Sequence, residues 1–424
     1  MKKLLALGLA ATVAVAGIGA LAGCSQGDDE LTVGFIALHD DNSTYDKNFL
    51  DAIREACANK GIDSDHLIIK TGIDETQECY DAAADLVDQG CDVIFADSFG
   101  HQDYIKKAAQ EFPDVEFCHA TGTQAHIAGL DNLHNAFASI YEGRYLAGVA
   151  AGMKLVEMYN ADELEDKNFD KIDDNNKNIK IGYVGAYTYA EVISGYTSFY
   201  LGAKSIVDEE LAAEGISLSM EVQFTGSWFD EKAEREAAST LISNGAALIS
   251  QHADSMGAPA ACEAAGVPNV SYNGSTASAC PDTYIISSRI NWVPYFEYMI
   301  DCVKNGTAID KDWTGSLQNN AVVLTEVGAA AAEGTQAKID EVKAQLQNGS
   351  LKVFDCSKFT LTKTDKLNVN ATIDSDGHLT SYKPSVDIEG AEAVVDGVFS
   401  ESTLRSAPYF DIQIDGITLL NSKF

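Results

Sequence analysis

The sequence predicts an α/β protein built from two doubly wound series, with a β-rich C-terminal appendage. Short apolar runs alternate with helical patterns of ten to fifteen residues, the signature of βαβ units and a parallel sheet. The alternation occurs twice, over 31–119 and 179–304, separated by a polar stretch at 160–178. Beyond 352 the helical period gives way to short strands around the turn signals Asp376-Gly377 and Asp415-Gly416. A chain of 424 residues, 46% hydrophobic, is long enough for two or three domains with their own cores.

The first segment precedes the fold. Lys2 and Lys3 stand before an apolar run at 4–22 that ends in Leu21-Ala22-Gly23-Cys24. A basic start, an apolar middle and small residues before the cut describe a secretory signal at 1–23. The ending resembles the bacterial lipobox, in which the cysteine is diacylated, and two acyl chains anchor a protein stably. The run also has the length of a membrane-spanning helix, roughly 20 residues; the small-small-Cys ending favours the lipid anchor. Cys24 is thus the expected lipidation site, 24–30 a tether, and the rest extracytoplasmic on the cell membrane.

In the first series, 31–38, 66–71, 92–97 and 115–119 read as strands, and 46–59, 75–89 and 102–112 as helices; Gly90 and Pro113 close the last two helices. Tyr141, Tyr145, Leu146, Val149 and Met153 recur at helical spacing along 141–158. Residues 160–178, rich in Asp, Glu, Asn and Lys, read as an exposed insertion. In the second series 179–184, 217–224, 246–251, 268–272 and 283–288 are strands. The helices there are 191–206, 230–243, 256–265 and 292–304, with a last one at 337–347.

The formal charge of −35 repels phosphate backbones, which argues against nucleic acid as a partner. Besides Cys24 there are eight cysteines, at 57, 79, 91, 118, 262, 280, 302 and 356. An even number outside the cell permits disulfides in about 105 pairings, whereas their apolar surroundings equally suit buried thiols.

In an open parallel sheet, ligands bind beyond the carboxyl ends of the strands. The tips there carry Tyr45, Phe99, Tyr187, Trp228, Phe229 and Trp292, which can stack on a flat ligand. Asp103, Glu191, Asp254 and Asn273 can fix its polar edge, and helix N-termini add N–H donors. Against this, Asp230 reads as a helix cap, Phe99 and Phe229 equally suit packing under a loop, and Trp292 suits the core. The pairs His39/Asp40 and His252/Asp254 lie among many exposed carboxylates, so no metal site or cofactor is expected. No nucleophile elbow, zincin, P-loop or dinucleotide motif occurs, which argues against an enzyme.

Five segments carry a family resemblance: Asp97-Ser98-Phe99-Gly100-His101-Gln102-Asp103, the run Glu111 through Gly122, the run Tyr141 through Gly152, Trp228-Phe229-Asp230, and Gln251-His252-Ala253-Asp254-Ser255. Together they resemble the basic membrane protein family of lipoproteins, which includes purine nucleoside receptor lipoproteins. The resemblance covers about 31–350. It implies a type I periplasmic-binding-protein fold, with a first lobe of 31–136 and 274–306, a second of 137–273 and 307–351, a ligand cleft between them, and 352–424 as an extension. It implies a monomeric substrate-binding protein that hands a purine base or nucleoside to an ABC permease. It carries over the loop around Asp40 with Tyr45 as stacking residue, Asp103 as a base-reading acid, and the Trp228–Phe229 pair. Asn273 stands where an Asp would grip ribose hydroxyls, and Arg289 where a Lys is usual. A tethered sensor for a membrane signalling protein and, further off, a surface hydrolase are the alternatives.

Overall fold

The computed structural model describes residues 30–173, 175–362, 368 and 370–421. The expected signal segment at 1–23, Cys24, and parts of two stretches that read as strands or loops, 360–364 and 367–373, lie outside these. The chain begins with β1 (Val33–Ile36), α1 (Thr44–Asn59), β2 (Leu67–Lys70), α2 (Gln77–Asp88), β3 (Val93–Ala96), α3 (Gln102–Glu111), β4 (Glu116–Ala120) and β5 (Leu133–Ala138). Then come α4 (Ile140–Asn160), β6 (Phe169–Lys171), β7 (Lys177–Gly185), α5 (Ala190–Leu211), β8 (Ile216–Phe224), α6 (Glu231–Ser243), β9 (Ile249–Gln251), α7 (Gly257–Ala265) and β10 (Asn269–Tyr272). It continues through β11 (Tyr284–Ile290), α8 (Val293–Asn305), β12 (Asp312–Gly315), β13 (Val322–Leu324) and α9 (Thr335–Asn348). The extension holds β14 (Ala371–Ile373), β15 (Leu379–Tyr382), β16 (Val394–Val395), β17 (Val398–Phe399) and β18 (Ile417–Leu419).

Two sheets organise these elements. The first has the order β12-β5-β4-β3-β1-β2, all parallel. The second runs β13-β11-β10-β9-β7-β8-β18, with β6 and β13 antiparallel to their neighbours. β1 and β3 are buried at every position, as expected for strands covered on both faces. Beneath the first sheet Phe35 stacks on Phe95 at 5.7 Å and Phe49 on Trp292 at 4.3 Å, so Trp292 is core. Helix starts follow local chemistry: the side chains of Ser43, Thr76 and Asp230 accept from the backbone N–H groups of Asp46, Glu78 and Ala233.

The chain passes between the sheets after β5, after β11 and after β12. The second and third passages differ from the boundaries at 273/274 and 306/307: β11 pairs with β10 in the second sheet, and β12 pairs with β5 in the first. These boundaries rest on the family resemblance; a strand pattern does not name its neighbour, and both positions fall one strand early.

One other expectation changes, and one pair of alternatives is decided. The stretch at 160–178 is built in: β6 pairs with β7, and the buried Asn168 donates to the carbonyl of Gly245 at 2.9 Å. All eight cysteines among the described residues are buried free thiols. Burial pushes Cys57 up to about 11 and Cys91 and Cys118 up to about 12, so they stay protonated. Among the described residues no helix is long and apolar enough to cross a membrane.

Candidate ligand-binding cleft

The carboxyl ends of β1, β3 and β4 in one sheet face those of β7, β8 and β9 in the other. The space between them is a chamber of about 160 Å³. From the first lobe come Leu38, His39, Tyr45, Asp46, Ser98, Phe99, Thr121 and Thr123; from the second come Tyr189, Ala190, Glu191, Trp228, His252 and Asp254. The lobes touch across it. Phe99 and Tyr189 lie 5.1 Å apart between ring centroids, and Thr44 donates through its N–H and its hydroxyl to the carbonyl of Asp254, each at 3.1 Å.

Apolar rings form the bulk of the wall. Tyr45 packs edge-on against Phe49 at 4.8 Å and anchors its hydroxyl on the carbonyl of Asp97 at 2.8 Å, which fixes the ring. Tyr187, Tyr189 and Trp228 form a contiguous aromatic set, with Tyr187 stacked on Tyr189 at 5.3 Å and edge-on to Trp228 at 4.8 Å. Rings held by packing and hydrogen bonds are preorganised platforms for a flat ligand.

Acids supply the polar edge, and each is held differently. On the first lobe Asp46 accepts from the Ser43 hydroxyl at 2.6 Å and from the His39 backbone N–H at 2.7 Å; its second contact with His39 is to Nδ1 at 3.3 Å. Burial raises the Asp46 carboxyl, but the bonds from His39 and Ser43 outweigh it and hold it below its ordinary value. Burial lowers His39, yet Asp46 more than compensates, leaving His39 above its ordinary value. The buried Asp97, beside Asp46, is pushed far up by burial and by that neighbour's charge.

On the second lobe the buried Arg144 lies flat over the Tyr272 ring, 3.3 Å from its centroid. It donates to the carbonyl of Gln251 and to His252 Nδ1, each at 2.9 Å. A guanidinium only donates, so His252 Nδ1 accepts and Nε2 carries the proton. That Nε2 faces Glu191 at 2.9 Å, and Glu191 also accepts from the Tyr272 hydroxyl at 3.2 Å. Burial raises Glu191, but His252 and Arg144 reverse this, and the carboxylate stays charged. Burial lowers His252, which is neutral. The result is a fixed relay from Arg144 through His252 to an ionised carboxylate at the chamber wall. Asp254 is different: burial pushes it far up, and its partner is the Asn273 amide at 2.9 Å.

Such a chamber, two lobes around ringed platforms and acceptor carboxylates, is suited to hold a small ligand rich in hydrogen-bond donors. The family profile described as ABC transporter substrate-binding protein PnrA-like matches residues 33–160 and 175–355. The chain belongs to this PnrA-like family. A purine-binding protein of Brucella abortus is 28% identical over 79% of this chain and 86% of its own length. A putative ABC transporter glucose-binding protein of Haloferax volcanii is 30% identical over 63% of this chain and 60% of its own. The fold matches an ABC transporter solute-binding protein from Aeropyrum pernix at TM-score 0.59 and 15% identity, over 79% of this chain and 94% of that one. One from Conexibacter woesei matches at TM-score 0.57 and 21% identity, over 76% and 98%. These structures are periplasmic binding proteins of type I fold, the class the sequence implies.

In this PnrA-like chain the residues expected at the site divide into three groups. Tyr45, Phe99, Glu191, Trp228 and Asp254 line the chamber. Tyr187 supports Tyr189 and Trp228 from behind, and Asn273, in a left-handed backbone conformation (φ 65°), holds Asp254. The remaining four do not line the chamber. Asp40 turns its carboxylate back onto Asn42 and borders an outer groove with Phe229, whose ring packs 5.5 Å from His39. Asp103 is exposed and accepts from Gln124. Arg289 donates to Asn48 at 3.1 Å beside the passage out of β11. Sequence reasoning missed Asp46, Tyr189, Thr121 and Thr123 as lining residues. It weighed His39 and His252 as metal ligands or as half of a catalytic His–Asp pair, not as lining residues. It had no signal for Arg405, Ala407 and Pro408 of the extension, which also line the chamber.

Proposed function

We propose that this protein is a lipid-anchored, extracytoplasmic substrate-binding protein that captures a purine base or nucleoside in the interlobe chamber and delivers it to an ABC permease. The observation that carries the ligand class is the pairing of rigid rings, Tyr45, Phe99, Tyr189 and Trp228, with the ionised carboxylates Asp46 and Glu191. A purine offers a flat π-face to the rings and N–H donors to the carboxylates. The name of the Brucella relative supports the same class. The work is binding and closure, with lobe closure supplying the difference in affinity between open and closed states; nucleosides are expected to leave unchanged. Cys24 carries the anchor, so Cys24→Ala should move the protein from the membrane fraction to the medium.

The test is mass spectrometry of small molecules released from natively purified protein lacking residues 1–23. Calorimetric titration follows with adenine, guanine, hypoxanthine, their nucleosides and glucose. A retained or titrating purine is the expected result. Glucose is included because carboxylates beside aromatic rings also suit a sugar and the Haloferax relative is named for glucose. Binding of glucose with no response to any purine would replace the ligand class while keeping the fold.

A further inference from the structure

The family match ends at 355, yet the chamber does not close without residues well beyond it. Arg405, Ala407 and Pro408 complete the wall with Phe99, Tyr189 and Trp228. Their turn is buried: Ser406 is 0% and Ala407 3% exposed. Arg405 makes the turn rigid by donating through Nε to the Ala407 carbonyl at 3.1 Å, through Nη2 to that of Pro408 at 3.1 Å and through Nη1 to that of Ser385 at 3.2 Å. These bonds take three of the guanidinium's five N–H donors and fix its plane, so Arg405 shapes the wall that it lines together with Ala407 and Pro408.

The turn is also fastened to both lobes. Ser406 donates its N–H and its hydroxyl to Asp312 at the start of β12, at 3.0 and 2.8 Å. His126 of the first lobe meets the Val386 carbonyl at 3.0 Å. On the second lobe the Ser194 hydroxyl of α5 donates to the buried Glu401 at 2.6 Å, Tyr196 donates to Gln413 at 3.0 Å, and β18 extends the sheet beside β8. The extension that carries this turn is thus tied to both lobes, which holds the turn in place against the chamber.

We propose that residues 405–408 are a third wall of the ligand chamber that sets which ligands fit, with Arg405 as its positioning residue; as a statement about purines this rests on the ligand class proposed above. Removing the guanidinium frees the turn and relaxes discrimination by size. Adding bulk at 407 tightens it.

The test compares wild type, Arg405→Ala and Ala407→Phe by calorimetric titration with adenine and adenosine. In Arg405→Ala the base-to-nucleoside affinity ratio should move at least threefold toward unity, and the better ligand should weaken at least tenfold. In Ala407→Phe the nucleoside should weaken at least threefold more than the base. A ratio unchanged within twofold in both variants, with only the melting temperature altered, overturns the wall. If wild type binds neither probe, nor guanine, hypoxanthine and their nucleosides, the purine class falls, and acrylamide quenching of Trp228, taken as the difference from a Trp228→Phe background, decides the wall by itself. A twofold rise in Arg405→Ala supports it, and equal quenching overturns it.

Discussion

Arg144 has the highest stakes of any single side chain near the chamber. It is fully desolvated, and it orients His252 and balances the charge of Glu191. Replacing it by Met keeps the volume but leaves the His252 Nδ1 lone pair and the Gln251 carbonyl without their donor and Glu191 without its balancing positive charge, and losing one partner of a buried charge system costs about 3–5 kcal/mol. Arg144→Met should therefore lower stability by about that amount in denaturant titrations, and ligand affinity should fall with it. Glu401 gives a prediction of opposite sense. Burial, against the Ser194 hydrogen bond and with Glu191 and Glu142 adding repulsion, pushes its carboxyl from an ordinary 4.5 up to about 8. Between those values the folded chain keeps a proton that the unfolded chain has released, so this group makes stability fall as pH rises from about 4.5 to about 8. Glu401→Gln removes that loss. Its melting temperature relative to wild type should climb steadily from pH 5 to pH 8, and a flat difference would mean Glu401 ionises normally. At this scale the sequence displayed five of the seventeen residues that line the chamber. Phe99, Trp228 and Asp254 are legible because they stand within four residues of a strand end, and Tyr45 and Glu191 because they are an aromatic and an acid at the start of the helix that follows one. Asp46 was hidden because it sits two residues inside α1 and looks like a helix-start acid, while Asp103, equally placed on α3, faces water.

At the scale of elements, the pairing of α4 with α5 holds the second lobe together, and small residues make it close. A Cβ at Gly148 would run into the carbonyl of Phe199, and one at Gly202 into that of Tyr145; at Gly152 it would stand 2.6 Å from the carbonyl of Ala203. The obstacle in each case is backbone, which has no rotamer to escape into. Alanine in a helix gains about 1 kcal/mol over glycine, whereas overpacking costs typically about 1–3. Because whole helices must separate here, the second effect wins. Gly148→Ala should destabilise the protein by about 1–2 kcal/mol with the far-ultraviolet spectrum unchanged, and a stabilised variant would show that the helices are looser than this. The elements themselves were largely legible from period and punctuation; α4 was announced by Tyr141, Tyr145, Leu146, Val149 and Met153. What periodicity does not encode is partnership. β11 reads equally well as a member of either sheet, β12 (Asp312-Trp313-Thr314-Gly315) carries no strand pattern at all, and only hydrogen-bonding neighbours decide.

For the whole molecule, the question is whether the extension is an accessory or part of one cooperative unit. Residues Leu31–Phe424 form a single compact unit, and one continuous apolar cluster runs from Phe35 and Trp292 under the first sheet, through α4 and α5, to Phe354, Phe399, Tyr409 and Phe410. Phe354 is the joint: its ring stacks on Phe410 at 4.2 Å on one side and packs 5.1 Å from Tyr141 of α4 on the other. The sequence showed this region as short strands and turns, with no sign that β18 would return to lie parallel to β8 or that 405–408 would reach the cleft, because contacts between distant segments leave no local pattern. If the joint transmits packing as the contacts imply, Phe410→Ala acts globally. Truncating a buried phenylalanine costs about 3–5 kcal/mol, and that loss should appear as one transition shifted to lower temperature, coincident by calorimetry, tryptophan fluorescence and circular dichroism. An early separate transition, with the lobes melting where wild type does, would mean the extension is an independent layer resting on the lobes.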